Sequence, residues 1–114
     1  RLFETYNVGG HNEKQNIEII KIIIKTLQEM LAENDPRREL VSEDLITYVE
    51  DRKGHDRRYA IAPDKIKEEI GWEPETMFEE GIRRTIQWFF EHEEWMKNVT
   101  SGDYQKYYTE MYKV

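Results

Sequence analysis

The 114-residue chain is long enough for one compact domain with a single core. Its net charge of -7 argues against a nonspecific grip on nucleic acid or on an anionic membrane surface, since both demand positive charge. The absence of cysteine excludes disulfides, thiolate nucleophiles and zinc–thiolate sites, and it fits a reducing cytoplasm.

The opening Arg1-Leu2-Phe3 points to a boundary within a longer polypeptide, with processing as the alternative. Phe3 to Val8 mixes aromatic, β-branched and polar residues and reads as a short strand, broken by Gly9-Gly10. Ile17, Ile20, Ile24, Leu27 and Leu31 recur at helical spacing. Ile19, Ile22 and Ile23 widen that face, so burial on more than one side is expected. Asn16 is the expected N-cap, and the helix should fade at Asn34-Asp35-Pro36.

Leu45 to Val49 reads as a second strand, and Tyr59-Ala60-Ile61 as a brief extended piece. Pro63 fits the first position of a helix whose inner face carries Ile66 and Ile70, ended by Gly71. The longest helix is predicted over about Phe78 to Asn98. Ser101-Gly102 separates it from a last helix over about Asp103 to Met111. The fold class is therefore α/β and helix-rich, a single unit over 1–114. Its two short strands are marginal alone and need each other or further chain. No apolar run reaches the roughly 18 residues of a membrane span.

The most unusual stretch is Asp51 to Arg58, with four Lys/Arg against two Asp. Arginine forks suit phosphate, and Gly54 lets the backbone turn or approach a ligand. A solvated charged turn with local ion pairs explains the same residues. The start of the Ile-rich helix is a second place for an anion, where Asn16 either caps the helix or turns its amide to a ligand. His11, His55 and His92 lack metal-ligand spacing, and the Glu pairs read as solvated helix faces. GxGxxG and GxxxxGK[ST] are both absent.

These residues carry a resemblance. Tyr6-Asn7-Val8-Gly9-Gly10-His11-Asn12-Glu13, then Asn16 opening a helix, then Ile46-Thr47-Tyr48-Val49 form its first part. Asp51-Arg52-x-Gly54-His55-Asp56-Arg57-Arg58-Tyr59-Ala60-Ile61 follows, with Lys65-Ile66, Gly71-Trp72-x-Pro74 and Thr76-x-Phe78-x-x-Gly81-Ile82-Arg83-x-Thr85-x-x-Trp88 after it. Together they resemble the end of the dTDP-glucose 4,6-dehydratases, extended short-chain dehydrogenase/reductases. The run from Asp51 to Ala60 is the narrowest of these motifs. It points to that family rather than to epimerases, decarboxylases or GDP-mannose dehydratases.

The resemblance implies a helix-rich C-terminal part that binds dTDP-glucose, lacking most of a Rossmann domain that binds NAD. It implies loss of water from dTDP-glucose to give dTDP-4-keto-6-deoxyglucose, on the way to deoxysugars such as dTDP-rhamnose, in a parent that dimerises. Asn16 and Arg52 match residues that contact the nucleotide diphosphate. Asp51, Gly54 and His55 belong to the same substrate loop, and Tyr112 matches a C-terminal tyrosine near the substrate. Lys53 stands where many members have proline, and Ala62 where aspartate is common, which leaves a helix cap missing before Pro63. The resemblance implies that the family's catalytic residues lie in its N-terminal part, outside this chain, and no tyrosine here has a lysine four positions on. The isolated chain is therefore expected to be inactive. Two alternatives remain: a noncatalytic binding or assembly module of the same fold, and a related UDP- or GDP-sugar dehydratase or epimerase.

Overall fold

A computed structural model describes residues 3–112, apart from the side chains of Asp103 and Tyr104. Six α-helices follow one another: α1 (Asn16–Met30), α2 (Pro36–Leu40), α3 (Asp64–Ile70), α4 (Phe78–Glu91), α5 (Glu93–Val99) and α6 (Gly102–Met111). The chain divides into two units, Arg1–Gly81 and Ile82–Val114. Helix α4 crosses the division.

In the first unit, α1 buries Ile24 and Thr26, with Leu31 buried just past its end. Thr26 Oγ1 donates to the Ile22 carbonyl at 2.7 Å, so its burial strands no donor. Ile22, Ile23 and Leu27 are half-buried, as the widened face required, but Ile20 is 42% exposed. The helix starts one residue earlier than Asn16 capping would place it. Gln15 is the N-cap, and its N–H donates to Glu18 Oε2 at 2.7 Å. Asn16 is thereby released from capping.

Two helical pieces lie where none was expected. Asp35 caps α2, accepting from the Arg37 N–H at 2.9 Å, with Pro36 in the first turn. Ser42 then caps a single 3₁₀ turn over Glu43–Leu45. Gln28 ties α1 to this region by donating to the Val41 carbonyl at 2.7 Å.

The expected strands are corrected. Phe3 to Val8 and Leu45 to Val49 form no strand among the described residues. A strand is stable only when a neighbour takes its backbone groups. Nearby backbone bonds here are local instead, such as Ile46 N–H to Glu43 O and His55 N–H to Arg52 O. Tyr48 and Val49 are each 84% exposed, which fits segments that lack a sheet neighbour.

Side chains hold these extended segments. Lys65 Nζ reaches Glu4 Oε2 and the Thr5 carbonyl, each at 3.0 Å, and stands 5.0 Å from the Tyr6 ring centroid. Helix α3 has Pro63 as its N-cap, without a side-chain cap, and Gly71 closes it at φ 80°. Asn12 Oδ1 accepts the Phe78 N–H at 3.4 Å, and Lys14 pairs with Glu79 at 3.1 Å. These two contacts fasten the segment before α1 to the start of α4.

In the second unit, the expected long helix breaks at His92 into α4 and α5. His92 adopts φ -126°, ψ 44°, and its ring Nδ1 lies 2.7 Å from the Trp88 carbonyl oxygen. That carbonyl would otherwise wait for the N–H of residue 92, which bonds Phe89 O instead. Trp88 stacks on His92 at 4.1 Å and meets Trp95 edge-on at 5.1 Å. Among the described residues, no helix is long and apolar enough to cross a membrane.

The chain exposes 10518 Å², against about 6,700 Å² for a folded monomer of its 13.9 kDa mass. Among the described residues, no side chain is fully buried. The core is correspondingly thin.

Candidate functional site

The charged stretch after Val49 is organised by one tight turn. His55 N–H donates to the Arg52 carbonyl at 3.3 Å, and Gly54, third of the four residues, has φ 75°. A turn of that shape needs a left-handed residue in the third position, which glycine supplies without a Cβ penalty. Gly54 thus has a conformational role. Lys53 occupies the second position, where proline is favoured, and the turn closes without it.

The turn brings Asp51 and His55 together, with Nδ1 and Oδ1 2.6 Å apart. The same carboxylate oxygen accepts the Arg52 N–H at 3.0 Å.

Beyond the turn, the chain faces the start of α1 across a cleft of about 640 Å³. Glu13, Lys14, Gln15, Asn16 and Ile19 form one side, and His55 to Tyr59 the other. Arg58 donates to Glu13 across the mouth, closing a gap of 45 positions in sequence. Gly9 sits close enough to Ile61 that a Cβ would meet it at 3.1 Å, which fixes the far end of the loop.

Two of the expected site residues, Asn16 and His55, share this cleft. Asp51 and Gly54 shape the turn behind it. Arg52 is not among the residues that line it. Tyr112 belongs to the other unit, at the end of α6, where it is 62% exposed and 4.6 Å from the Tyr108 ring. Sequence reading passed over Arg57, Lys14 and Tyr59 as individual contacts. Lys14 is engaged by Glu79 and Arg58 by Glu13. Arg57 has no hydrogen bond or ion pair among the described residues, so its guanidinium is the cation at hand for a ligand.

The cleft suits an anion of modest size. The first turn of α1 offers N–H groups without intrahelical acceptors, although Glu18 already offsets part of the helix dipole. Asn16 adds an amide that bonds nothing else among the described residues. Ile19 and Tyr59 give an apolar patch beside these polar groups, the mixture usual in small-molecule sites. No group of three or more metal-ligating side chains occurs among the described residues. NAD does not fit here: a dinucleotide cradle needs a strand running through a glycine-rich turn into a helix. Gly9-Gly10 follows no strand and stands several residues short of α1.

Residues 1–85 match the model of the family described as GDP-mannose 4,6 dehydratase. Over 110 residues, 96% of this chain, it is 48% identical to the dTDP-glucose 4,6-dehydratase of Shigella flexneri. It is 50% identical over 102 residues, 90% of its length, to the enzyme of that name from Neisseria meningitidis. The corresponding figure for Salmonella typhimurium is 46% over 110 residues, or 96%. The chain spans only 29%, 28% and 29% of these relatives' own lengths. No solved structure matches it significantly.

Proposed function

The chain belongs to the GDP-mannose 4,6 dehydratase family, and from that premise we propose that it is the nucleotide-sugar-binding part of a dTDP-glucose 4,6-dehydratase. The observation that carries this reading is the cleft itself. It joins a helix start, an uncommitted arginine and an amide around a space of about 640 Å³, within the 300–1,000 Å³ range of small-molecule sites. The relatives' name supplies the substrate, dTDP-glucose.

In this reading Arg57 and Asn16 hold the diphosphate, and Ile19 and Tyr59 pack against a ring. His55 contributes a ring nitrogen from the opposite wall. Arg52, matched to the diphosphate by resemblance, acts from the turn on the outer part of the ligand, and Tyr112 is matched by resemblance to a tyrosine near the substrate. The parent enzyme converts dTDP-glucose to dTDP-4-keto-6-deoxyglucose and water in the cytoplasm, as a homodimer. NAD and the catalytic side chains are held outside this chain, which alone turns nothing over.

A thermal-shift series tests the assignment, because a ligand that binds only the folded state raises the melting temperature by mass action. dTDP-glucose should stabilise the chain more than UDP-glucose or GDP-mannose. Arg57→Ala should weaken binding about 10- to 150-fold, the loss of one charge-assisted hydrogen bond at about 1.5–3 kcal/mol. Preference for GDP-mannose, or no response to any of the three, would remove the reading.

A further inference from the structure

Glu13, Lys14, Asp56, Arg57 and Arg58 are the Asp, Glu, Lys and Arg side chains that line the cleft among the described residues. Lys14 is paired with Glu79 and Arg58 with Glu13, while Asp56 is the chain neighbour of Arg57. With Glu79 counted, these formal charges cancel. The cleft at rest therefore offers little net attraction to a diphosphate, which is multiply negative. A firm hold needs a second cation besides Arg57.

The two engaged cations differ in how easily they are released. The Lys14 side chain is 25% exposed, and its 3.1 Å pair with Glu79 also fastens the segment before α1 to the start of α4. The Arg58 side chain is 72% exposed and that of Glu13 46%. Such an exposed pair is weak and costs little to open. Arg58 also has donors to spare. Its Nη2 serves Glu13, whereas a guanidinium carries five N–H groups in a planar fork.

We infer that Arg58 is a second diphosphate ligand held in reserve, and that Glu13 is an internal competitor which the diphosphate displaces. This rests on the function proposed above. In the free chain the Glu13 carboxylate occupies the guanidinium across the cleft mouth. A diphosphate offers the same fork-shaped pairing with more negative charge, so an exchange of partner favours the ligand. Arg57 and Arg58, which both line the cleft, then act on it together. Glu13 is left facing solvent. It limits affinity in two ways: it withholds a cation, and its own charge repels the anion.

Calorimetric titration of the full 114-residue chain with dTDP-glucose tests this. Glu13→Gln keeps the size of the side chain and removes its charge, and should bind about three- to tenfold tighter than the unaltered chain. Adding Arg58→Ala to Glu13→Gln should then weaken binding about tenfold or more, the loss of a charge-assisted contact. Adding Arg58→Lys instead should fall between the two, because lysine keeps the charge and loses the fork. In nitrogen-15 NMR of the unaltered chain, the Arg58 Nε–H signal should shift at saturation, while that of Arg38 on α2 stays in place. Four results overturn the inference and leave the proposed function standing: Glu13→Gln binding no tighter than the unaltered chain, equal affinity with and without Arg58→Ala, lysine serving as well as arginine, or an unmoved Arg58 signal at saturation. No binding of dTDP-glucose by any of these chains overturns both.

Discussion

The Cα of Gly9 lies against Ile61, so that a Cβ built there stands 3.1 Å from the Ile61 Cβ, its Cγ2 and its carbonyl oxygen. Two of those atoms are close to or part of the backbone and have little room to give. Gly9→Ala is therefore expected to cost about 1–3 kcal/mol, read as a lower urea midpoint. It should also loosen the Tyr59–Ile61 end of the cleft loop. An unchanged midpoint would show that the two segments do not meet.

Arg58 and Glu13 form the tie across the cleft mouth. Their side chains are 72% and 46% exposed, so the pair adds little to global stability. Its effect should be local. Glu13→Ala and Arg58→Ala should each speed tryptic cleavage after Lys53 and Arg57 severalfold, with little change in melting temperature. The reversed pair, Glu13→Arg with Arg58→Glu, should restore protection. Equal cleavage rates in all four proteins would show that the tie does not hold the loop.

Lys53→Pro should stabilise the turn. The second position of such a turn takes proline's fixed φ, and no hydrogen bond of the Lys53 N–H is lost among the described residues. A gain of about 0.4–1 kcal/mol is expected, chiefly through reduced freedom of the unfolded chain. Denaturant titration measures it, and a loss of stability would mean that the turn has a different shape.

Acid should weaken the fold. A side-chain hydrogen bond from Arg37, then one from its backbone N–H, holds the Asp35 carboxyl below its ordinary 3.8. Lys67 does the same for Glu73 through a side-chain hydrogen bond, and Glu79 is lowered by a backbone hydrogen bond and then by Lys14, both from 4.5. A depressed folded pKa contributes stability that is complete above the unfolded value and disappears as pH falls through the folded one. The urea midpoint should hold from pH 7 to about 5 and drop below about pH 4. Lys65 works at the other end: its hydrogen bond to Glu4 raises it above 10.5. That contribution is whole below 10.5 and is lost only in stronger base. Asp35→Asn should flatten the acid limb, and a midpoint constant from pH 6 to 3 would contradict the assignment.

Part of this was legible in the residues. The isoleucine spacing placed α1, and Gly71 marked the end of α3. Helix α2 escaped because Pro36-Arg37-Arg38-Glu39-Leu40 carries one apolar residue and no readable face; Asp35-Pro36 looked like a stop when it is a cap. The break at His92 was hidden because apolar spacing runs straight from Phe89 to Met96. The strands were misread because β-branched runs state a preference for extended backbone, while a strand also needs a neighbour. At the site, composition identified a basic island but could not say which of its arginines line a cleft: Arg57 and Arg58 do, and Arg52 does not.

Amide NMR mapping of dTDP-glucose on the chain tests the central claim most directly. At saturation, the largest shift changes should fall on Asn16, His55 and Arg57, on both walls of one cleft. Saturable binding that leaves those three unmoved, or no binding at all, would contradict it.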